Sequence, residues 1–201
     1  DVRFPVQYVI RPHSGDWHDY RGYAGTVAGG VIKAGDEIMV LPSGFTSTVA
    51  AVETADGPVD EAFGPMTVTL RLTDEIDVRR GDMICRPHNH PTVGQDIDAM
   101  VCWMSETGSI AEGNKLVIKH TTRTARALVK GVQYRLDINS LHRDDSAHTL
   151  SLNEIGRIRL RTTVPLFYDE YRRNRTTGSF ILIDEATNNT VAAGMILGPA
   201  T

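Results

Sequence analysis

Met66, Val68, Leu70 and Leu72 are apolar, and Thr67, Thr69, Arg71 and Thr73 between and beside them are polar. A period of two sends alternate side chains to opposite faces of an extended chain, so this run predicts a strand with one buried face. Comparable short runs, rich in β-branched and apolar residues, recur at 2–10, 25–32, 37–41, 47–52, 99–104, 115–120, 127–138, 157–164, 179–184 and 191–197. Gly, Pro, Asn and Asp separate most of them. Many short strands with such punctuation predict an all-β chain of antiparallel sandwich or barrel type. One or two helical turns are expected only within 165–173, where Pro165 suits a first-turn position.

The pattern breaks at 86–95, where Pro87, Pro91 and Gly94 bracket the polar run His88, Asn89 and His90. This predicts a domain over 1–90, a linker at 91–95 and a second domain over 96–198. A chain of 201 residues accommodates two domains of about 100 residues each. Charge divides along the same line: residues 1–95 hold 8 Lys/Arg against 13 Asp/Glu, and residues 96–201 hold 13 against 12. The net charge of -4 supplies no general attraction to nucleic acid. Cys85 and Cys102 are the only cysteines, too few for a disulfide scaffold or a four-cysteine zinc site. No apolar run approaches about 18 residues, and the first residues lack the basic and apolar regions of a signal peptide. A cytoplasmic protein that meets no membrane is expected. The chain starts in strand-like sequence with no initiator methionine, so an excised segment is expected as well.

The run GTVAGGVIKAGDEIMVLPSG at 25–44 reads as a strand, a tight turn and a second strand. Gly29 and Gly30 permit positive φ, and Gly35 with Asp36 suits a hairpin-type turn. Over about 2–90 the chain resembles the second domain of translational GTPases of the elongation factor Tu class, in which a Gly-Thr-Val strand, a glycine and a Gly-Asp turn follow in this order. YRGYAGTVAGG at 20–30, VLPSG at 40–44 and LTDEIDVRRGD at 72–82 narrow the resemblance to one branch, the large GTP-binding subunit of bacterial sulfate adenylyltransferase. YRLDINSL at 134–141 and TTGSFILIDEATNNTVAAGMI at 176–196 are similar to the third domain of that subunit. The linker HNHP and the polar stretch 143–148 match no pattern of the family.

The resemblance implies two antiparallel β-barrels like domains II and III of elongation factor Tu. It implies a region of a subunit that couples GTP hydrolysis to synthesis of adenylyl sulfate from ATP and sulfate. Adenylyl transfer itself would be performed by a small catalytic subunit, which this region would help to dock. The implied partners are that subunit and the GTPase domain of the same protein, with a fused adenylylsulfate kinase domain left open. GTP, ATP and Mg would belong to the complex, and no cofactor is expected in this chain, because it contains no Gly-x-x-x-x-Gly-Lys-Ser/Thr loop to cradle phosphates. Asp19-Tyr20-Arg21-Gly22 matches a switch pattern and Asn114-Lys115 begins a guanine-recognition motif, but Val117 stands where its aspartate belongs. Both are read as coincidences.

Other constellations offer candidate sites. His88 and His90 near Cys85 suggest metal ligation, but no further ligand stands near, and solvated linker histidines are the plainer reading. Cys102 beside Trp103 reads as core. Asp74/Glu75 and Asp144/Asp145 read as solvated turn carboxylates rather than catalysts. No catalytic, cofactor or metal residue is assigned. The informative feature is Arg157, Arg159 and Arg161: strand periodicity puts three guanidiniums on one face, with Ile158 and Leu160 facing the core. Such a row either docks an acidic partner or phosphate, or is neutralised within the chain by Asp169, Glu170 or Glu154. Arg172, Arg173 and Arg175 extend the basic surface. The competing reading is an RNA-binding fragment of a translation factor, which the acidic first half opposes. A free-standing enzyme lacks a nucleophile-base pair.

Overall fold

A computed structural model of the chain describes residues 1–12 and 20–201. They form two compact units, Asp1–Pro91 and Thr92–Thr201. All regular structure among the described residues is β. The first unit holds β1 (Arg3–Ile10), β2 (Gly22–Thr26), β3 (Val31–Lys33), β4 (Glu37–Leu41), β5 (Phe45–Thr54), β6 (Gly57–Val59), β7 (Glu61–Phe63), β8 (Thr67–Leu72) and β9 (Met83–Cys85). The second holds β10 (Thr92–Trp103), β11 (Ile110–Ala111), β12 (Lys115–His120), β13 (Arg123–Leu136), β14 (Arg143–Asp144), β15 (Thr149–Leu150), β16 (Ile155–Tyr168), β17 (Ser179–Ile183) and β18 (Thr190–Pro199).

In the second unit one antiparallel sheet runs β12-β17-β18-β10-β16-β13 and returns to β12 through the β12–β13 pairing. Its ladders overlap on each strand of that ring. Ile97–Cys102, for example, pairs with β16 on one side and β18 on the other. Alternation then fills the interior: Leu116, Ile118 and His120 of β12 are buried, as are Ile97, Ala99, Val101 and Trp103 of β10. Closure leaves no long exposed edge for another chain to extend.

The first unit differs, and the expectation of two antiparallel barrels is corrected here. Its strands follow each other around a ring, β4-β9-β1-β2-β8-β5, with β4 and β5 also paired. The ladder is nevertheless interrupted at two strands. Arg3–Pro5 of β1 pairs with β9 while the residues from Val6 onward pair with β2. Likewise, Phe45–Thr48 of β5 pairs with β4, and Val49–Glu53 pairs with β8. Register breaks at Val6/Tyr8 and Val49/Ala51 mark where each strand passes from one sheet to the other. The unit is two sheets joined at corner strands, packed over Phe4, Val6, Tyr23, Val40, Val49, Leu70 and Ile84. Only the second unit is one continuous closed sheet.

Two local expectations also change. Gly35, at φ +88°, and Asp36 do make a tight turn, with Asp36 Oδ2 accepting from Lys33 N at 2.9 Å. They do not make a hairpin, because β3 pairs with β7 while β4 pairs with β5 and β9. No helix forms within 165–173. β16 continues through Leu166, Phe167 and Tyr168, which pair with Gly94, Val93 and Thr92 and are buried, so core packing holds this segment extended.

Gly194 of β18 lies opposite Phe180 of β17, and a Cβ there would stand 2.2 Å from the Phe180 ring. The glycine is the space the aromatic ring occupies. Gly194→Ala is expected to destabilise the second unit by about 1–3 kcal/mol through overpacking. Urea denaturation followed by Trp103 fluorescence measures this, and an unchanged midpoint would mean that Phe180 repacks freely.

Candidate functional site

β10 and β16 run side by side in register, so the outward arginines of one meet the outward residues of the other. Arg157 lies opposite Met100, Arg159 opposite Asp98 and Arg161 opposite Asp96. The Arg161 Nη1 bonds to Asp96 Oδ2 at 2.7 Å. Arg157 reaches diagonally to Asp98, with Nε donating at 2.9 and 3.0 Å to its two carboxylate oxygens and Nη2 adding an ion pair. The Asp98 side chain is 8% exposed, so this pair is partly shielded, whereas the Asp96–Arg161 pair lies in solvent and holds little free energy. Arg159, between them, makes no ion pair among the described residues, and its Nε is buried without an acceptor.

The neutralising carboxylates are therefore Asp96 and Asp98, not the three expected from the sequence. Glu154 binds Arg135, Glu170 binds Arg172, and Asp169 accepts from the Thr177 hydroxyl at 2.7 Å. An Asp-x-Asp pattern on β10 was visible in the sequence. Its relation to the arginine row depended on a strand register that sequence reasoning had not assigned.

The other candidates separate. Cys85 is buried while His88 and His90 are exposed, so the three are not brought together. No group of three or more His, Cys, Asp or Glu among the described residues is placed to hold a metal ion. Cys102 is partly exposed on the outer face while its neighbour Trp103 fills the core, because alternation along β10 turns the two side chains to opposite faces, and the reading of Cys102 as core is corrected. Asp74 accepts from Ser47 Oγ at 2.7 Å, and Asp144 binds Ser146 and Arg135, which makes both turn and ladder braces. The Asn114 side chain is engaged by the Ala111 amide at 2.7 Å, a turn contact that does not fit guanine recognition. Asp19 of the switch-like pattern lies outside the described residues.

A buried polar cluster was missed. His120, 1% exposed, donates from Nε2 to the Thr177 carbonyl at 2.6 Å, since a carbonyl oxygen can only accept. Asp169 and Arg123 lie close by, and the Arg123 guanidinium covers the Phe167 ring at 4.8 Å. The inward parity of His120 on β12 was the available signal. Nothing in the cluster resembles a nucleophile-base pair, and its role is to tie β12 to the turn before β17.

The family described as GTP-eEF1A C-terminal domain-like matches residues 96–197, and the chain belongs to it. Within that class it is similar to CysN/CysC enzymes and to sulfate adenylyltransferase subunit 1, the branch its motifs resembled. It is 59% identical over 98% of its length to the bifunctional enzyme CysN/CysC of Mycobacterium tuberculosis H37Rv, of which it covers 32%. The corresponding enzyme of Rhodopirellula baltica is 50% identical over the whole chain, which covers 30% of it. Sulfate adenylyltransferase subunit 1 of Bacteroides fragilis is 47% identical over 98% of the chain and 40% of its own length. The chain thus spans about a third of these relatives. The structure of sup35 complexed with GMPPNP superposes over 100% of the chain and 47% of its own at a TM-score of 0.86 and 18% identity, a likeness of fold alone. No helix among the described residues is long and apolar enough to cross a membrane.

Burial is the largest influence on His120 and lowers its pKa. The Thr177 carbonyl and Asp169 oppose the shift, and Arg123 adds to it. With the folded pKa below the unfolded value of about 6.5, the neutral ring's stabilisation is present above that pH and is lost as pH falls through the window below it. Urea midpoints from pH 8 to 5 are expected to fall more steeply for the wild type than for His120→Gln. Parallel pH profiles would show that His120 is not the responsible group.

Proposed function

We propose that this chain is the non-catalytic β region of the GTP-binding subunit of a cytoplasmic sulfate adenylyltransferase. In this reading it passes the nucleotide state of the GTPase domain to a small catalytic subunit that makes adenylyl sulfate from ATP and sulfate. The observation that carries the reading is 59% identity over 98% of the chain to a CysN/CysC enzyme. The residues support a coupling role rather than chemistry. The arginine row is a surface device, the buried His120 ring is bonded to the Thr177 carbonyl, and the chain offers no Gly-Lys-Ser/Thr loop to which GTP and Mg would bind. The parent's GTP, ATP and Mg would be held by the GTPase domain and the small subunit. A fused adenylylsulfate kinase domain is part of the proposal, since two of the relatives are named bifunctional enzyme CysN/CysC.

Docking of the small subunit would use the second unit, with Arg157, Arg159 and Arg161 as contributors. Arg157 and Arg161 already share carboxylates, so Arg159 is the row's open cation. A guanidinium that gains a buried carboxylate across an interface costs about 2–5 kcal/mol when truncated, whereas a rim contact mainly changes association rate and salt dependence.

Titration of the chain with labelled GTP is expected to give no saturable signal, and micromolar binding would relocate the nucleotide site to this region. Binding to the small subunit is expected to weaken as much in Arg159→Ala as in the triple alanine variant. Equal affinity of all three proteins would remove the row from the interface. Failure of the wild type to bind would move docking to the GTPase domain, and steeply salt-dependent RNA binding would favour the translation-factor reading.

A further inference from the structure

The arginine row is one half of the outer face between β16 and β17. The register assigns what the other half presents. One row across the strands reads Ser179, Met195, Met100 and Arg157, and the next reads Ile181, Ala193, Cys102 and Ile155. The second row contains no charged side chain. A barrel exterior in water ordinarily alternates polar residues outward against the apolar core, so four successive apolar positions facing out depart from that pattern. They floor a groove of 840 Å³, in which Met195 is 40% exposed and Cys102 partly exposed.

The rim is cationic. Lys119 continues the apolar row one strand beyond Ile181, and Arg175 enters from the turn before β17. Neither has a carboxylate partner among the described residues, although Arg126, Arg135, Arg157, Arg161 and Arg172 of the same unit are all paired. An apolar floor bordered by two unanswered cations is complementary to a protein surface that brings apolar side chains next to carboxylates.

We propose that this groove, rather than the arginine row alone, seats the small catalytic subunit, through an apolar segment of that subunit bordered by acidic residues that meet Lys119 and Arg175. The inference rests on the docking reading above. The row and the groove are continuous through Arg157 and Met100, so Arg159 lies at the edge of the seat and the two Met and two Ile side chains at its centre. Interfaces of this type place their apolar contacts centrally and their charges at the rim.

Cys102 is a built-in probe, because it lies in the groove floor while Cys85 is buried. The full-length subunit would be alkylated with iodoacetamide, alone and with the small subunit, and Cys102 followed by peptide-resolved mass spectrometry. Complex formation, checked by co-elution, is expected to slow Cys102 alkylation at least tenfold. Met195→Glu is expected to raise Kd at least tenfold, and Lys119→Glu with Arg175→Glu to do so with reduced salt sensitivity, at unchanged thermal midpoints. A complex that forms with Cys102 reacting at its free rate, and with both variants binding normally, overturns the groove and leaves the docking reading standing. Absence of any complex overturns both. Protection of Cys102 in the large subunit alone, rising with its concentration, would assign the groove to a second copy and overturn the proposal.

Discussion

The β12–β13 pairing closes the second sheet, and the arrangement of everything on that unit's outer face follows from it. A backbone amide or carbonyl removed from water without a partner costs free energy of the order of a lost hydrogen bond, so a strand with an open edge is a liability. Once Lys115–His120 pairs with Arg123–Leu128 on one side and with Ile181–Ile183 on the other, no edge remains and each ring strand is held in register by two neighbours. Register then determines which side chains stand together. Asp96 and Asp98 meet the arginines because of where β10 lies against β16, and Met100 and Met195 become neighbours because of where β10 lies against β18.

In the first unit the same requirement is met differently. β1 and β5 each exchange their neighbour partway, at a break in register. All-β content was legible because alternation is a local property: the run 67–72 declares its buried face within six residues. The difference between a continuous barrel and two joined sheets is not local. It depends on which distant strand pairs with which half of β1, and no period of two along the chain records that. The same limit explains the turn at Gly35 and Asp36, where the turn chemistry was readable and the destinations of its flanking strands were not.

The candidate site divides along the same line. That Arg157, Arg159 and Arg161 share a face was legible from their spacing, since it needs only the strand period. Whether they are paired required β10 beside them. The nearest acidic residues in sequence, Glu154, Asp169 and Glu170, turn out to serve Arg135, Thr177 and Arg172. Asp96 and Asp98, some sixty residues away in the chain, do the neutralising. Family motifs, in contrast, are local strings and carry the relationship to sulfate adenylyltransferase without any register at all.

A row of arginines invites an electrostatic account of docking, yet magnitudes favour the apolar half of the face. Asp98 and Asp96 already occupy two of the three guanidiniums, and a partner carboxylate would have to compete with bonds already formed and be stripped of water to do so. Exposed ion pairs return about 0–1 kcal/mol each. Covering an apolar side chain returns about 25 cal/mol per Å² removed from water and competes with no existing bond. Met195, Met100, Ile181 and Ile155 therefore supply the larger attraction, with methionine side chains adapting their shape to what covers them. Lys119 and Arg175 bring orientation, because cations without carboxylates of their own discriminate between partner surfaces of opposite sign. Affinity in this arrangement comes from the uncharged row, and the choice of partner from the charges on its β12 and β17 side.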